Sequence, residues 1–397
     1  MDPVSNPYSP GAGTPPPSLV GRDALIQSFR VAVQRALQGK PGQSLMPIGL
    51  RGVGKTVLLN RFTEEAIKLG AHVALIEAPE DASLRQLLAK EARRVLLQLD
   101  RVGAVSQAVK RALRIFKSFS ITMGPDGSLS AGVDLDPELG VGDSGILADD
   151  VTDLFVALGE AAKDRGTGLV IAIDEVQYLG DDELGALITA VHRTTQRQLP
   201  LVIVGAGLPQ LPGLAGNAKS YAERLFTFPE IGPLPAAEAR RAIIEPAEAQ
   251  GVQVAADAVM LILEHTHGYP YFLQEWAYEA WNEAGPGQIL LADVLRAAPR
   301  VTRKLDENFF RVRFDRLTPT EKKYLRAMAQ LGAGPHRSGD IAREYGAKVE
   351  SVGPMRSALI RKGMIYSPAH GDTAFTVPLF DEYLKRAMPD LVGNRSL

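Results

Sequence analysis

The sequence predicts an α/β fold, in which a parallel sheet with helices on both faces precedes a helical segment and a basic C-terminal module. Between residues 19 and 232, short apolar runs of strand type alternate with amphipathic segments of helix type, as in a sheet whose crossovers are helices. The first apolar run ends in a glycine-rich loop. From residue 301 onward, 17 Lys and Arg stand against 11 Asp and Glu.

The glycine-rich loop matches a phosphate-binding pattern. Gly49, four further residues, then Gly54, Lys55 and Thr56 satisfy G-x-x-x-x-G-K-[ST], and the strand-type run Leu45–Leu50 precedes them. Glycines permit backbone angles that turn successive N–H groups onto anionic oxygens, and the following helix adds the positive end of its dipole. We therefore predict a P-loop. A plain glycine-rich turn before a surface helix is the alternative.

The residue types in and beyond this loop fit a nucleotide with Mg²⁺. Lys55 is expected to reach the β- and γ-phosphates, and the Thr56 hydroxyl to bind the metal ion. Asp174 and Glu175 end an apolar run, as in a Walker B strand. Asp174 is expected to hold Mg²⁺ with Thr56, and Glu175 to polarise the attacking water; a solvated strand end is the alternative. The predicted nucleotide-binding residues of the loop are Gly49, Gly52, Val53, Gly54, Lys55, Thr56 and Val57.

The elements of the sheet domain, residues 19–232, follow from apolar periodicity. The predicted strands are Leu45–Leu50, His72–Ala78, Gly168–Asp174, Leu201–Ala206 and Leu225–Ile231. The predicted helices are Asp23–Leu37, Thr56–Leu69, Ser83–Leu99, Asp149–Asp164 and Leu184–Arg197. Residues 101–145 are predicted to be an insertion that contains a hairpin at Phe119–Leu135, because Gly-Pro-Asp-Gly in its middle favours a turn.

Two further segments flank the sheet domain. Residues 1–18 hold six prolines and are predicted to be a flexible tail, since such a composition buries little apolar surface. Residues 233–300 are predicted to form a helical lid with breaks near Gly251 and Gly268. In the lid, Trp276 and Trp281 have the helical spacing of core residues. His265 and His267 lack further metal ligands, so a packed or solvated role is expected.

The basic module, residues 301–397, is predicted to contain three helices and a hairpin. The predicted elements are the helices Leu317–Leu331, Gly339–Tyr345 and Ser351–Ile365 and the hairpin Tyr366–Val377. In this order they resemble a winged helix-turn-helix, whose third helix enters the DNA major groove and whose hairpin lies along the backbone. The predicted DNA contacts are Arg337, Arg356, Arg361, Lys362 and His370. Docking of a protein on the same module is the alternative.

Two segments resemble motifs of a known family. Leu19–Asp23 (LVGRD) resembles the box before the P-loop in AAA+ ATPases of the archaeal initiator (origin-recognition-like) clade and in the related STAND NTPases. His267–Leu273 (HGYPYFL) is similar to their G-x-P lid motif. The resemblance spans Leu19–Met388 and implies a P-loop NTPase parallel sheet with a helical lid, plus a C-terminal winged helix-turn-helix domain. It also implies that adenine is contacted by Val20, Gly21, Arg22, Gly268 and Pro270.

The chain departs from the AAA+ pattern at two places. The fourth strand ends in Val204-Gly205-Ala206-Gly207, with no polar sensor residue at its tip, which implies slow hydrolysis. The lid motif lacks the arginine that serves many AAA+ proteins as a second sensor. Arg224 is similar in position to the catalytic arginine finger that a neighbouring subunit supplies, which implies self-association. A structural arginine that caps the fifth strand is the alternative.

Composition excludes several kinds of chemistry. The chain has no Cys, so disulfides, thiolate metal sites and cysteine nucleophiles are excluded. It has no leader-like N-terminal pattern, and no apolar run approaches the roughly 20 residues that span a bilayer. A cytoplasmic protein that does not bind membranes is therefore expected.

The sequence as a whole predicts an ATPase switch with ATP or ADP and Mg²⁺ as cofactors. ATP binding and slow hydrolysis are expected to control assembly and the binding of double-stranded DNA by the C-terminal module. One alternative is a signalling or defence regulator whose winged helix docks protein. Another is a nucleotide-binding scaffold without turnover.

Overall fold

A computed structural model describes residues 1–11, 13–17, 19–78, 83–100, 106–121 and 135–389 of the chain. The chain divides into two compact units. One, the sheet unit, consists of residues 22–48 and 55–230; the other, the lid unit, consists of residues 1–21, 49–54 and 231–397. No helix within the described residues combines the length and apolar character needed to cross a membrane.

The sheet unit contains a five-stranded parallel sheet. Its strands are Ser44–Leu45 (β1), His72–Glu77 (β2), Leu169–Asp174 (β3), Leu201–Gly205 (β4) and Phe226–Thr227 (β5). They lie in the order β2-β3-β4-β1-β5, and every pair is parallel, as predicted. β1 and β5 are shorter than predicted, and the pairing continues beyond them as bridges from Ile48 to Gly207 and to Glu230. The Met46 and Ile48 N–H groups also donate to the Thr227 and Pro229 carbonyls, at 2.8 and 3.0 Å. Pro47 has no N–H to donate, but its carbonyl accepts from the Gly207 N–H at 3.1 Å.

Helices cover both faces of this sheet. They are Asp23–Leu37 (α1), Lys55–Lys68 (α2), Leu84–Asp100 (α3), Gln107–Ile121 (α4), Leu147–Asp164 (α5), Asp181–Gln196 (α6), Leu211–Ala218 (α7) and Ala222–Leu225 (α8). α2 packs on β2 and β3 and on α1, whereas α5 packs on β3 and on α6. Every residue of the interior strand β3 is buried, which requires cover on both faces.

The predicted insertion begins with a helix that belongs to the packed core. Phe116 and Phe119 of α4 are buried, and α4 contacts α3 and α5. The predicted hairpin at Phe119–Leu135 is wrong at its start, because this apolar face carries α4 through to Ile121. Residues 122–134, which hold the rest of that hairpin, lie outside the described residues.

The lid is helical, as predicted, with one short sheet added. Its elements are Ala236–Glu248 (α9), Gln253–Val254 (β6), Ala256–Thr266 (α10), Pro270–Glu283 (α11), Gln288–Ile289 (β7) and Leu291–Leu305 (α12). The predicted breaks are confirmed at Gly251 and Gly268, whose φ angles are 73° and 75°. Trp276 and Trp281 are buried in the core, and the His265 ring stacks on Trp276.

α12 continues past the predicted boundary between residues 300 and 301 into a π-helical turn, Asp306–Phe310. The elements that follow are Arg311–Phe314 (α13), Pro319–Gln330 (α14), His336–Arg337 (β8), Ser338–Tyr345 (α15), Val349–Arg361 (α16), Ile365–Tyr366 (β9), Asp372–Phe375 (β10) and Phe380–Ala387 (α17). The three predicted helices are α14, α15 and α16, and the predicted hairpin is β9 with β10. β8 adds a third antiparallel strand beside β10.

Residues 1–11 differ from the predicted flexible tail, because they pack on the lid helices. The Tyr8 side chain is 2% exposed, and its hydroxyl donates to the Ile243 carbonyl. Asn6 donates to the Tyr278 carbonyl at 3.0 Å, and the Ser9 N–H donates to Gln274 Oε1 at 3.0 Å. One aromatic side chain with satisfied polar neighbours thus orders a proline-rich segment.

Candidate nucleotide-binding site

The P-loop has the backbone conformation that its glycines predict. Gly52 and Gly54 have φ angles of 80° and 90°, a region that residues with a Cβ rarely adopt. At Gly49 the constraint is space, since a Cβ would lie 2.1 Å from the Ile231 carbonyl oxygen. α2 begins at Lys55, directly after the loop, so the first N–H groups of the helix adjoin it, as an anion site requires.

The predicted metal ligands meet in the sheet unit. Thr56 lies in the first turn of α2 and Asp174 ends β3; Thr56 Oγ1 donates to Asp174 Oδ2 at 2.6 Å. The Asp174 side chain is 6% exposed, and burial raises its pKa above the ordinary value, although the hydrogen bond from Thr56 and the charge of Lys55 oppose that rise. A hydroxyl and a carboxylate that converge are hard oxygen donors, so the residues present fit Mg²⁺.

Glu175, the predicted base, has an unusual backbone conformation. Its φ is 53°, in the left-handed region that few residues other than glycine adopt. The side-chain amide of Gln177 donates to its carboxylate. Gln177 Oε1 also accepts the N–H of Leu208 at 2.9 Å.

Gln177 thus brings a polar group to the tip of β4, where the sequence has no sensor side chain. Sequence reasoning missed this residue. The feature of the sequence that could have identified Gln177 is a polar side chain two positions after Glu175. In the structure it lies in the short 3-10 turn Val176–Tyr178.

Several residues predicted to contact adenine meet in the lid unit, around Leu234. The Leu234 N–H donates to the Gly268 carbonyl at 2.8 Å. A Cβ on Gly21 would lie 3.4 Å from Leu234 Cδ2, and one on Gly268 would lie 2.6 Å from the Leu234 carbonyl oxygen. Val20 is buried in the same apolar core. Sequence reasoning missed Leu234, which follows β5 with no motif around it.

The other predicted nucleotide-site residues lie at the starts of helices or near a sheet edge. Pro270 is the first residue of α11. Arg22 precedes α1 in the sheet unit, and burial lowers its pKa. Arg224 lies exposed in α8, directly before the edge strand β5.

Three of the five predicted DNA-contacting residues are exposed. Arg361 ends α16, and His370 lies in the turn between β9 and β10; both are exposed. The Arg337 side chain is 71% exposed and forms an ion pair with Asp372 at 3.2 Å.

The other two predicted DNA-contacting residues make contacts within the module. Arg356 donates to Thr373 Oγ1 at 2.8 Å and to the Asp372 carbonyl at 2.9 Å, which ties α16 to β10. Lys362 pairs with Glu321 of α14 at 2.7 Å. These hydrogen bonds and this ion pair therefore stabilise the arrangement of helices and strands in the module.

Residues 18–204, which include the P-loop and β3, match the family model of an AAA ATPase domain. This matched segment contains both Walker motifs. Residues 307–384 match the model of a domain of unknown function, DUF8462. No curated protein matches the sequence.

Solved structures with the same architecture include the Walker-type ATPase PaBY2304 of Pyrococcus abyssi. It is 18% identical, with a TM-score of 0.59 over 92% of this chain and 96% of that one. The Aeropyrum pernix ORC1 protein in complex with DNA is 17% identical, with a TM-score of 0.46 over 93% of each chain. The Thermotoga maritima RuvB Holliday junction branch migration motor is 14% identical, with a TM-score of 0.45 over 89% and 92%. The likeness to the first establishes a P-loop NTPase fold.

Proposed function

We propose that this chain is an ATP-dependent switch, in which ATP binding and slow hydrolysis control self-assembly and DNA binding by the C-terminal module. The hydrogen bond between Thr56 and Asp174, at the start of α2 and the end of β3, carries the proposal. Within an AAA ATPase domain, that pair supports a Mg²⁺–ATP site. The γ-phosphate is then the group that distinguishes the two states of the switch.

Each side chain has a role that follows from its chemistry. Lys55 contacts the β- and γ-phosphates, while Thr56 and Asp174 hold the metal ion. When bound, Mg²⁺ neutralises charge on the phosphate oxygens. Glu175 orients and polarises the attacking water, and Gln177 fixes the Glu175 carboxylate. The base-binding residues we propose are Val20, Gly21, Arg22, Leu234, Gly268 and Pro270.

Slow hydrolysis is supported by the residues around β4. Its tip carries Ala206 and Gly207, which offer no polar side chain to the γ-phosphate. Gln177 lies beside this tip, but its carbonyl oxygen accepts the Leu208 N–H and its amide N–H donates to Glu175. Because both ends of the side-chain amide are already bonded, Gln177 does not replace the sensor. We infer that Arg224, exposed beside the edge strand, completes the site of a second copy of this chain, so that fast turnover requires assembly.

DNA binding is supported by the order and charge of the C-terminal elements. α14, α15 and α16 precede a hairpin, and β8 pairs with that hairpin, which is the order of a winged helix-turn-helix. In such a module α16 enters the major groove. Arg361, His370 and Arg337 are exposed around it, and they would meet phosphates or base edges. Arg356 and Lys362 would add positive charge to this DNA-binding surface, while their contacts with Thr373 and Glu321 hold α16 in place.

Protein docking by the same module is the second candidate function. Arg356 and Lys362 already form polar contacts within the module, which reduces the charge that they can offer to DNA. A module that docks protein needs fewer exposed cations, and its binding would depend less steeply on salt.

The ATPase part of the proposal is tested by measuring ATP affinity and hydrolysis in two variants. We expect Lys55→Ala to lose ATP binding, because it removes the cation that meets the phosphates. We expect Glu175→Gln to bind ATP normally and hydrolyse it at least about a hundredfold more slowly. Glu64→Gln, an exposed carboxylate of α2, is the matched control and should behave as wild type. Hydrolysis by Glu175→Gln at the wild-type rate would contradict the assigned role.

A further inference from the structure

The P-loop is hydrogen-bonded, within the lid unit, to residues far from it in sequence. The Tyr271 N–H donates to the Gly52 carbonyl oxygen at 3.2 Å. The Arg51 N–H donates to the Thr376 carbonyl oxygen, just beyond β10, at 2.9 Å. One contact thus comes from α11 of the lid and the other from the C-terminal hairpin.

An aromatic pair packs on the same part of the loop. The rings of Tyr271 and Phe309 stack with their centroids 4.7 Å apart and an interplanar angle of 23°. A Cβ on Gly52 would lie 3.3 Å from Tyr271 Cβ and 3.6 Å from Phe309 Cζ. The guanidinium of Arg313 lies 4.4 Å from the centroid of the Phe309 ring. The glycine therefore allows the loop to approach a stacked ring pair in which Phe309 is buried and Tyr271 is half-buried.

The π-helical turn Asp306–Phe310 joins this ring pair to the core of the C-terminal module. Phe310, the neighbour of Phe309, stacks on Tyr383 of α17 with centroids 5.1 Å apart. π-helical turns are rare and occur often at functional sites. One turn of helix therefore contacts the P-loop through one phenylalanine and the C-terminal core through the next.

Ion pairs between a half-exposed lysine and two buried carboxylates fix the helix that carries this turn. Lys304, near the end of α12, pairs with Glu275 at 3.3 Å and also with Glu279. Both carboxylates are buried in α11, the helix that begins with Pro270 and Tyr271. α12 is thereby held against α11 in the register that stacks the two rings.

We propose that Tyr271, Phe309 and Thr376, which we call the loop clamp, are positioning residues for the P-loop. They would make nucleotide affinity depend on the C-terminal module. This inference rests on the proposed nucleotide binding and identifies how the C-terminal module is coupled to it. The clamp contacts Arg51 and Gly52 within the loop itself, and an ordered loop loses less entropy when a ligand binds. By linkage, a nucleotide that prefers the clamped loop also stabilises the clamp.

Amide hydrogen exchange of the nucleotide-free chain tests whether the clamp holds the loop. We expect Phe309→Ala to speed exchange at residues 50–54 and to leave the strand β2 unchanged. Phe314→Ala removes a ring that packs on Tyr383 instead, and it should leave the loop unchanged. Phe309→Leu keeps apolar volume without the ring, so the loop should exchange at a rate between those of wild type and Phe309→Ala. This variant distinguishes loss of the ring contact from general unfolding. Unchanged exchange in a folded Phe309→Ala variant would overturn the clamp.

ATP and ADP affinities test whether the clamp positions the loop for nucleotide. We expect Phe309→Ala and Tyr271→Ala to bind both nucleotides three- to tenfold more weakly, the range for loss of an aromatic pair. Tyr271→Phe keeps the ring and the N–H and should match wild type. Equal or tighter binding by the two alanine variants would overturn the positioning role. If wild type bound no ATP, the proposed function would fail, and the exchange experiment would still decide the clamp.

Discussion

Gln177 connects the loops that follow two neighbouring strands. Its amide donates to Glu175 and its carbonyl accepts from the Leu208 N–H. Because both ends of the amide are bonded, its orientation is fixed, and so is the Glu175 rotamer. A carboxylate that polarises water must be held in place by such neighbours. Gln177 is therefore a positioning residue for Glu175.

Gln177→Ala is predicted to lower kcat about tenfold, at the low end for loss of a residue that orients another. ATP affinity should stay within about twofold, because Gln177 holds Glu175, whose proposed role is to polarise the attacking water and not to bind the phosphates. Steady-state hydrolysis and equilibrium ATP binding measure the two effects. Gln196→Ala, at the exposed end of α6, is the control. A higher kcat would mean that Gln177 restrains the base, contrary to this account.

At the scale of single elements, α14 begins with a capping box that also joins it to α16. Glu321 Oε2 accepts the Thr318 N–H at 2.8 Å and pairs with Lys362 at 2.7 Å. Burial raises the pKa of Glu321, but the hydrogen bonds from Lys362 and Thr318 outweigh it and hold that pKa below its ordinary value. The ionised form is thus favoured by folding.

Glu321→Ala is predicted to reduce the free energy of unfolding by about 1–2 kcal/mol at pH 7. A lowered pKa stabilises the fold above the unfolded value of about 4.3, and this contribution disappears as pH falls through the folded value. The difference from wild type should therefore shrink below about pH 4.3. Urea unfolding at neutral and acid pH measures it, with exposed Glu344→Ala as control. A difference that stays constant with pH would contradict the assigned ionisation.

The sequence predicts those elements whose structure is determined by neighbouring residues in the chain. β2, β3 and β4 are continuous apolar runs, and each lies within one residue of its predicted bounds. The Walker residues were predictable because phosphate and metal dictate their types and spacing. β8 is only two residues long and forms through its pairing with β10, a partner distant in sequence. Gln177, Leu234 and the loop clamp likewise depend on contacts that no local pattern reports.

On the scale of the whole molecule, self-association would place the exposed Arg224 in a neighbouring site. Hydrolysis per chain is predicted to rise with wild-type concentration. It should stay flat and low in Arg224→Ala, since arginine fingers are worth about 10³–10⁵ in rate. Lys219→Ala, in the segment just before α8, is the control. A concentration-independent wild-type rate equal to that of Arg224→Ala would show that Arg224 only caps β5.

Charge is divided unevenly along the chain. Residues 301–397 carry a net charge of +6, whereas residues 1–300 carry −8. A module that meets a polyanion needs this local excess, and each phosphate contact releases counterions. The two exposed arginines among the predicted contacts, Arg337 and Arg361, correspond to a slope of about −1.8 in log affinity against log salt.

The most direct test of the switch is the affinity of the chain for random duplex DNA at two salt concentrations. It is measured with ATP, with ADP and without nucleotide, beside Lys55→Ala. We predict binding that weakens steeply with salt and changes between ATP and ADP, and a Lys55→Ala variant that binds DNA equally in all three conditions. No binding in any state, or a nucleotide effect that survives in Lys55→Ala, would contradict the account.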